Sequence, residues 1–138
     1  MPETYYIDTS IWIDLYEDRK GYNNEPLGYF ASKLFGFIKA KKDIIVISDL
    51  LIKELELRYS QKEINNIIKP FEDLIDKVFT TKEQRQEAYN ISKERNIPSA
   101  DVLHAIIARD NKFILITRDN HFKELKNIYK YYKPEELI

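Results

Sequence analysis

Tyr5–Leu15 reads YYIDTSIWIDL, and the change of period inside it decides the fold. Residues 4–8, TYYID, have the short apolar character of a strand. After them Ile11, Trp12, Leu15 and Tyr16 recur on one face of a helix over about 9–18. An acid, Asp8, stands at the joint. A strand that passes straight into a helix opens an alternating α/β pattern.

The rest of the chain continues that alternation. A polar segment with Gly21, Asn23, Asn24, Pro26 and Gly28 reads as a loop. Phe30, Leu34, Phe37 and Ile38 then have helical spacing over about 27–41. Residues 43–47, DIIVI, form a continuous apolar run rich in β-branched side chains, as a buried parallel strand requires. Ser48 can cap a helix over about 49–59, and a further helical stretch precedes Pro70. Residues 71–80 fit helix and strand equally. Thr81 with Gln84 makes a capping box for a helix reaching about Arg95. Pro98-Ser99 opens a strongly apolar helix over 100–110, and 113–117, FILIT, is another buried strand. The tail, NIYKYYKPEELI, suggests an edge strand and a last helical turn. Apolar strands separated by helices imply a mainly parallel sheet covered on both faces, hence a three-layer α/β sandwich.

Length and composition narrow the function. At 138 residues, with no repeat, low-complexity tract or linker, residues 1–138 read as a single domain. Hydrophobic residues make up 43% and charged residues 33%, which suits a folded globular chain. Apolar runs are too short to span a bilayer, and MPETYYID lacks the basic and apolar regions of a secretory signal, so cytoplasmic residence is expected. The absence of cysteine rules out disulfides and thiolate metal sites. A net charge of −1 gives no general basic signal for nucleic acid, although acids clustered at a site would lower it while leaving lysines elsewhere.

Four acids end or follow hydrophobic runs: Asp8, Glu54, Asp101 and Asp119. Each has a structural alternative. Asp8 could be a helix N-cap, Asp119 a turn residue in TRDN, and Glu54 the partner of Arg58 one turn later. Asp101 could simply favour the positive end of its helix. Yet Val102, Leu103, Ala105, Ile106, Ile107 and Ala108 make that helix apolar on almost every side, so its early carboxylate needs a specific partner. Glu54 borders the stripe formed by Leu50 and Leu51, whereas Glu56 points nearly opposite. Asp8 and Asp119 both follow probable parallel strands at their carboxyl ends, where open α/β sheets place their sites. Carboxylates gathered in one pocket repel one another, and a hard divalent cation relieves that repulsion.

With these residues in place, the chain resembles the PIN-domain nucleases, in particular the short VapC-like ribonuclease toxins. The resemblance runs through IDTSIWID, the Ser48-to-Glu54 interval, PSADVLHAIIA, ITRDNHF and the closing KPEELI. It implies a parallel sheet between helical layers and an endoribonuclease that uses Mg²⁺ or Mn²⁺. It also places the catalytic and metal-binding quartet on Asp8, Glu54, Asp101 and Asp119. Thr117 falls where such proteins often carry a hydroxyl two residues before the last acid, and Thr9 or Ser10 is expected to help hold the first. A toxin of this kind cleaves RNA and is silenced by an antitoxin that occupies the acidic groove. The same family also includes RNA-processing nucleases outside toxin–antitoxin systems and domains that bind without cleaving.

Other polar residues carry weaker signals. Arg118, beside Asp119, is placed to meet a substrate phosphate or to lie idle on the surface. His104, one turn after Asp101, reads as a packed or hydrogen-bonded histidine, because two histidines and no cysteine supply a zinc site poorly. Lys39, Lys41 and Lys42 fit a solvated helix end better than a phosphate contact. Ten tyrosines exceed what a core needs and suit surface packing or a homodimer interface. No nucleophile elbow and no phosphate-cradling glycine motif is present. A phosphohydrolase of the haloacid-dehalogenase type would need an aspartate where Ser10 stands.

Overall fold

The structure, a computed structural model, describes residues 2–138. Its chain order is β1 (Thr4–Ile7), α1 (Thr9–Glu17), α2 (Leu27–Lys41), β2 (Ile44–Ser48), α3 (Asp49–Glu56) and α4 (Gln61–Ile68). There follow a 3₁₀ turn (Lys69–Leu74), β3 (Ile75–Val78), α5 (Lys82–Arg95), α6 (Ser99–Asn111) and β4 (Ile114–Ile116). Two more 3₁₀ turns, Asn120–Leu125 and Pro134–Glu136, complete the order. All strand pairings are parallel, and the sheet runs β3-β2-β1-β4, so the first strand lies between the second and the last.

Alternation along the strands builds the three layers. Register places Tyr5 beside Ile45 and Ile114, and Tyr6 beside Val46 and Leu115. Tyr5, Ile7, Ile45, Ile47 and Ile116 face one core with Ile11, Trp12, Leu34, Phe35, Leu51 and Ile64 from α1–α4. Tyr6, Val46 and Leu115 face the other, with Ala88, Val102, Ile106 and Phe122 from α5, α6 and the turn after β4. Period-2 alternation therefore turns one apolar run into two cores. Trp12 anchors the first, edge-on to Phe35 at 4.7 Å and to Phe71 at 6.1 Å.

Local chemistry fixes the element ends. Ser48 accepts the Leu51 N–H, and both halves of the Thr81–Gln84 capping box form at the start of α5. The ambiguous stretch 71–80 divides between the 3₁₀ turn and β3, an edge strand whose middle residues, Asp76 and Lys77, are exposed. The tail adds a parallel bridge from Tyr132 to Ile116 and the 3₁₀ turn Pro134–Glu136. Among the described residues no helix is long and apolar enough to cross a membrane.

Candidate metal centre

Because every strand is parallel, all their carboxyl ends open on one edge of the sheet. Asp8 leaves β1 there and Asp119 follows β4, while α3 carries Glu54 and the first turn of α6 carries Asp101. The four acids, far apart in sequence, are gathered at that edge in two groups, each with a histidine. Asp8, Glu54 and His104 have donor atoms within 4.8 Å of one another, as do Asp101, Asp119 and His121. The groups sense each other electrostatically, since Asp8 acts on Asp101 as well as Asp119 does.

The structural alternatives can now be checked residue by residue. Asp8 occupies the N-cap position of α1, yet its side chain makes no capping hydrogen bond. Instead Oδ2 accepts from Ser10 Oγ at 2.9 Å and from Thr117 Oγ1 at 2.8 Å. Its Oδ1 lies 3.7 Å from His104 Nε2, outside hydrogen-bond range. Glu54 does not meet Arg58, which pairs with Glu17 at 2.8 Å. Glu54 Oε1 accepts from Thr9 Oγ1 at 2.7 Å and contacts His104 Nε2 at 2.6 Å. Asp101 Oδ2 meets His121 Nδ1 at 2.7 Å. Asp119 does fill the turn role, accepting the His121 N–H at 2.8 Å, and the same oxygen lies 3.1 Å from His121 Nδ1. Thr117 also accepts the Asp119 N–H at 3.2 Å, so one hydroxyl ties the first acid to the last.

These bonds share a pattern. Each of the four carboxylates gives one oxygen to protein donors, and its other oxygen takes none among the described residues. A sheet edge that carries four such oxygens fits a hard cation that prefers oxygen ligands. The electrostatics agree. Burial, then the charge of Asp119, and further the charge of Asp8, push the Asp101 carboxyl up to about 6, against the pull of His121. Glu54 is drawn the other way: burial would raise it, but hydrogen bonds from His104 and Thr9 hold it below the usual carboxylate range. His104 is fully buried, which alone would lower its pKa, and the Glu54 hydrogen bond with the charges of Asp8 and Asp101 raises it instead.

Arg118 stands apart from this edge. Both terminal nitrogens go to Glu135, at 2.8 and 2.6 Å, and its guanidinium lies 5.8 Å from the Phe30 ring centroid. Meeting a phosphate would require it to leave that pair. Sequence reasoning missed His121 as a member of the group. The available signal was its place two residues after Asp119, a spacing that returns a ring to the acid it follows. It also missed Tyr6, which reaches His104 across 98 positions, and Ser48, which reaches Tyr6 across 42.

The fold recurs in solved structures. VapBC2 from Rickettsia felis bound to a DNA fragment from their promoter is similar at 18% identity and TM-score 0.64, covering 93% of this chain and 98% of that one. A toxin-antitoxin complex from Klebsiella pneumoniae matches at 18% identity and TM-score 0.59, over 94% and 97% of the two chains. PAE2754 from Pyrobaculum aerophilum matches at 18% identity and TM-score 0.59, over 98% and 86%. At such identities the likeness concerns the fold alone. No significant match was found among curated proteins. The PIN domain model, by contrast, aligns with residues 5–128, nearly the whole chain and all four acids of the edge. This chain belongs to the PIN domain family.

Proposed function

We propose that this chain is a divalent-metal-dependent endoribonuclease acting in the cytoplasm as the toxin of a type II toxin–antitoxin pair. One observation carries the reading: Asp8, Glu54, Asp101 and Asp119 gather at one sheet edge, each with an oxygen that no group among the described residues uses. Family membership supports the nuclease, and the likeness in fold to a toxin-antitoxin complex supports the toxin. The exposed Tyr16, Tyr22, Tyr29 and Tyr89 suit a homodimer surface. A cognate antitoxin would silence the enzyme by covering the acidic edge.

Asp8 and Asp101 would hold Mg²⁺ or Mn²⁺ most directly, with Glu54 and Asp119 completing the oxygen set. Such an ion, when bound, polarises the scissile phosphate and acidifies the attacking water. The protein's own part is positional. Ser10 and Thr117 fix the rotamer of Asp8, and Thr9 fixes Glu54. Glu54 or Asp119 orients the water for in-line attack and accepts its proton. The phosphorus–O3′ bond breaks, the O3′ takes up a proton, and the products are a 3′-hydroxyl and a 5′-phosphate.

The test is cleavage of total RNA by the purified protein with Mg²⁺ or Mn²⁺, with and without chelator. Cleavage should vanish on chelation and fall by about 100-fold or more in Asp8→Asn. Undiminished cleavage by Asp8→Asn would overturn the assignment. Toxicity on expression that is relieved by a small neighbouring gene would support the toxin reading over an RNA-processing role.

A further inference from the structure

Behind Glu54 lies a run of buried polar side chains that the chemistry above does not use. Tyr6 and His104 are both 0% exposed, and Ser48 is 1% exposed, inside a core otherwise made of Val46, Val102, Ile106 and Leu115. Buried polar groups are costly unless they are hydrogen-bonded, so an apolar layer with three of them at its centre needs a reason. Here every one is paired. Ser48 Oγ accepts the Leu51 N–H at 3.0 Å and lies 2.7 Å from the Tyr6 hydroxyl. The same hydroxyl lies 2.6 Å from His104 Nδ1, and His104 Nε2 lies 2.6 Å from Glu54 Oε1.

The donors give this chain a direction. Thr9 donates to Glu54 Oε1 as well, and a carboxylate oxygen accepts, so His104 Nε2 donates to it. With the Leu51 amide donating at the far end, the bonds can run in one sense. Leu51 N–H donates to Ser48, Ser48 to Tyr6, Tyr6 to Nδ1, and Nε2–H to Glu54. The imidazole is thereby held at both nitrogens, and its plane is set by a phenol and a serine that belong to the sheet. Tyr6 comes from one inner strand of the sheet and Ser48 from the end of the other, each strand paired on both sides.

We propose that His104 and Tyr6 are positioning residues for the metal centre, holding Glu54 Oε1 inward so that Oε2 faces the cation. The inference rests on the reading of this edge as a divalent-metal site. It assigns His104 the role of a donor behind a carboxylate, not of a metal ligand. Thr9 reaches the same oxygen at 2.7 Å, so two donors converge on Oε1. Groups that orient a ligand in this way commonly govern metal affinity by 10–100-fold.

Titration of the RNA-free protein with Mn²⁺, followed by calorimetry and by the electron paramagnetic resonance signal of the free ion, tests the proposal. His104→Leu should weaken Mn²⁺ binding by about 10–100-fold, and Tyr6→Phe, which keeps the ring and its packing, by about 10-fold. His104→Gln, whose amide can still donate towards Glu54, should recover most of the loss. Circular dichroism and the unfolding midpoint establish that each variant is folded. Should a folded Tyr6→Phe and a folded His104→Leu bind Mn²⁺ within twofold of the parent, the positioning role is wrong while the metal centre stands. Equal losses in His104→Gln and His104→Leu would also count against it, since the donor would then not matter. If the parent itself takes up no Mn²⁺, the metal reading fails and the inference falls with it.

Discussion

Asp101 serves two conditions that pull apart. Its side chain is only 14% exposed and shares an edge with Asp119 and Asp8, so its charge is disfavoured until a cation arrives. The folded chain holds this proton up to about pH 6, against 3.8 for the ordinary group. The folded state therefore binds the proton more tightly than the unfolded state does. The resulting stabilisation is fully present below about pH 3.8 and is lost as pH rises to about 6. Asp101→Asn should accordingly stabilise the metal-free protein at pH 7.5, by on the order of 1 kcal/mol once solvent screening is allowed for, while abolishing Mn²⁺ binding. Thermal unfolding with chelator and Mn²⁺ titration check the two halves separately, and a lower midpoint would contradict the first. At this scale the sequence picked out the acids that gather at the sheet edge better than it read what holds them. Asp101 was legible because its helix is apolar around it. The partner of Arg58 was not, because Glu17 lies 41 residues away and no helical spacing relates them.

Helices and strands were legible in proportion to how completely they are buried. The run DIIVI announces β2 because both faces of that strand are covered, leaving no polar side to confuse the pattern. β3 stayed ambiguous for the converse reason: as an edge strand it exposes Asp76 and Lys77 in succession and has no period to read. Helix ends hold another lesson. α1, α2, α5 and α6 finish on Asp18, Lys42, Asn96 and Lys112, all in the left-handed conformation with φ between 49° and 58°. A side chain there crowds its own carbonyl, a cost that glycine avoids. Lys112→Gly should therefore raise stability by about 0.5–1 kcal/mol, seen as a rise of a few degrees in the unfolding midpoint. The Lys112 N–H already bonds Ala108 and Arg109 carbonyls, and glycine keeps both bonds. A fall in the midpoint would mean that the lysine side chain contributes more than its backbone strain costs.

For the whole molecule, the proposed metal centre would make cation binding and folding one equilibrium, because a cation relieves the repulsion among the acids. A ligand that binds only the folded state stabilises it by about 2.7 kcal/mol at a hundredfold excess over its dissociation constant. Mn²⁺ at that excess should raise the unfolding midpoint at pH 7.5 by several degrees. At pH 5, below the titration of Asp101, the proton competes and the rise should shrink. An equal rise at both pH values would separate the cation from this carboxylate. The layer order followed from alternating apolar strands and helices. Strand order did not, because nothing local states that the last strand pairs with the first.

That pairing has a consequence in time. Asp8 is synthesised well before the strand that secures it: its backbone N–H bonds Ile116 and its carboxylate accepts from Thr117, 109 positions later. A growing chain thus carries Asp8 with only Ser10 to hold it until β4 has been made and docked. The order of synthesis thus leaves the acidic edge to be completed last, when β4 docks beside β1.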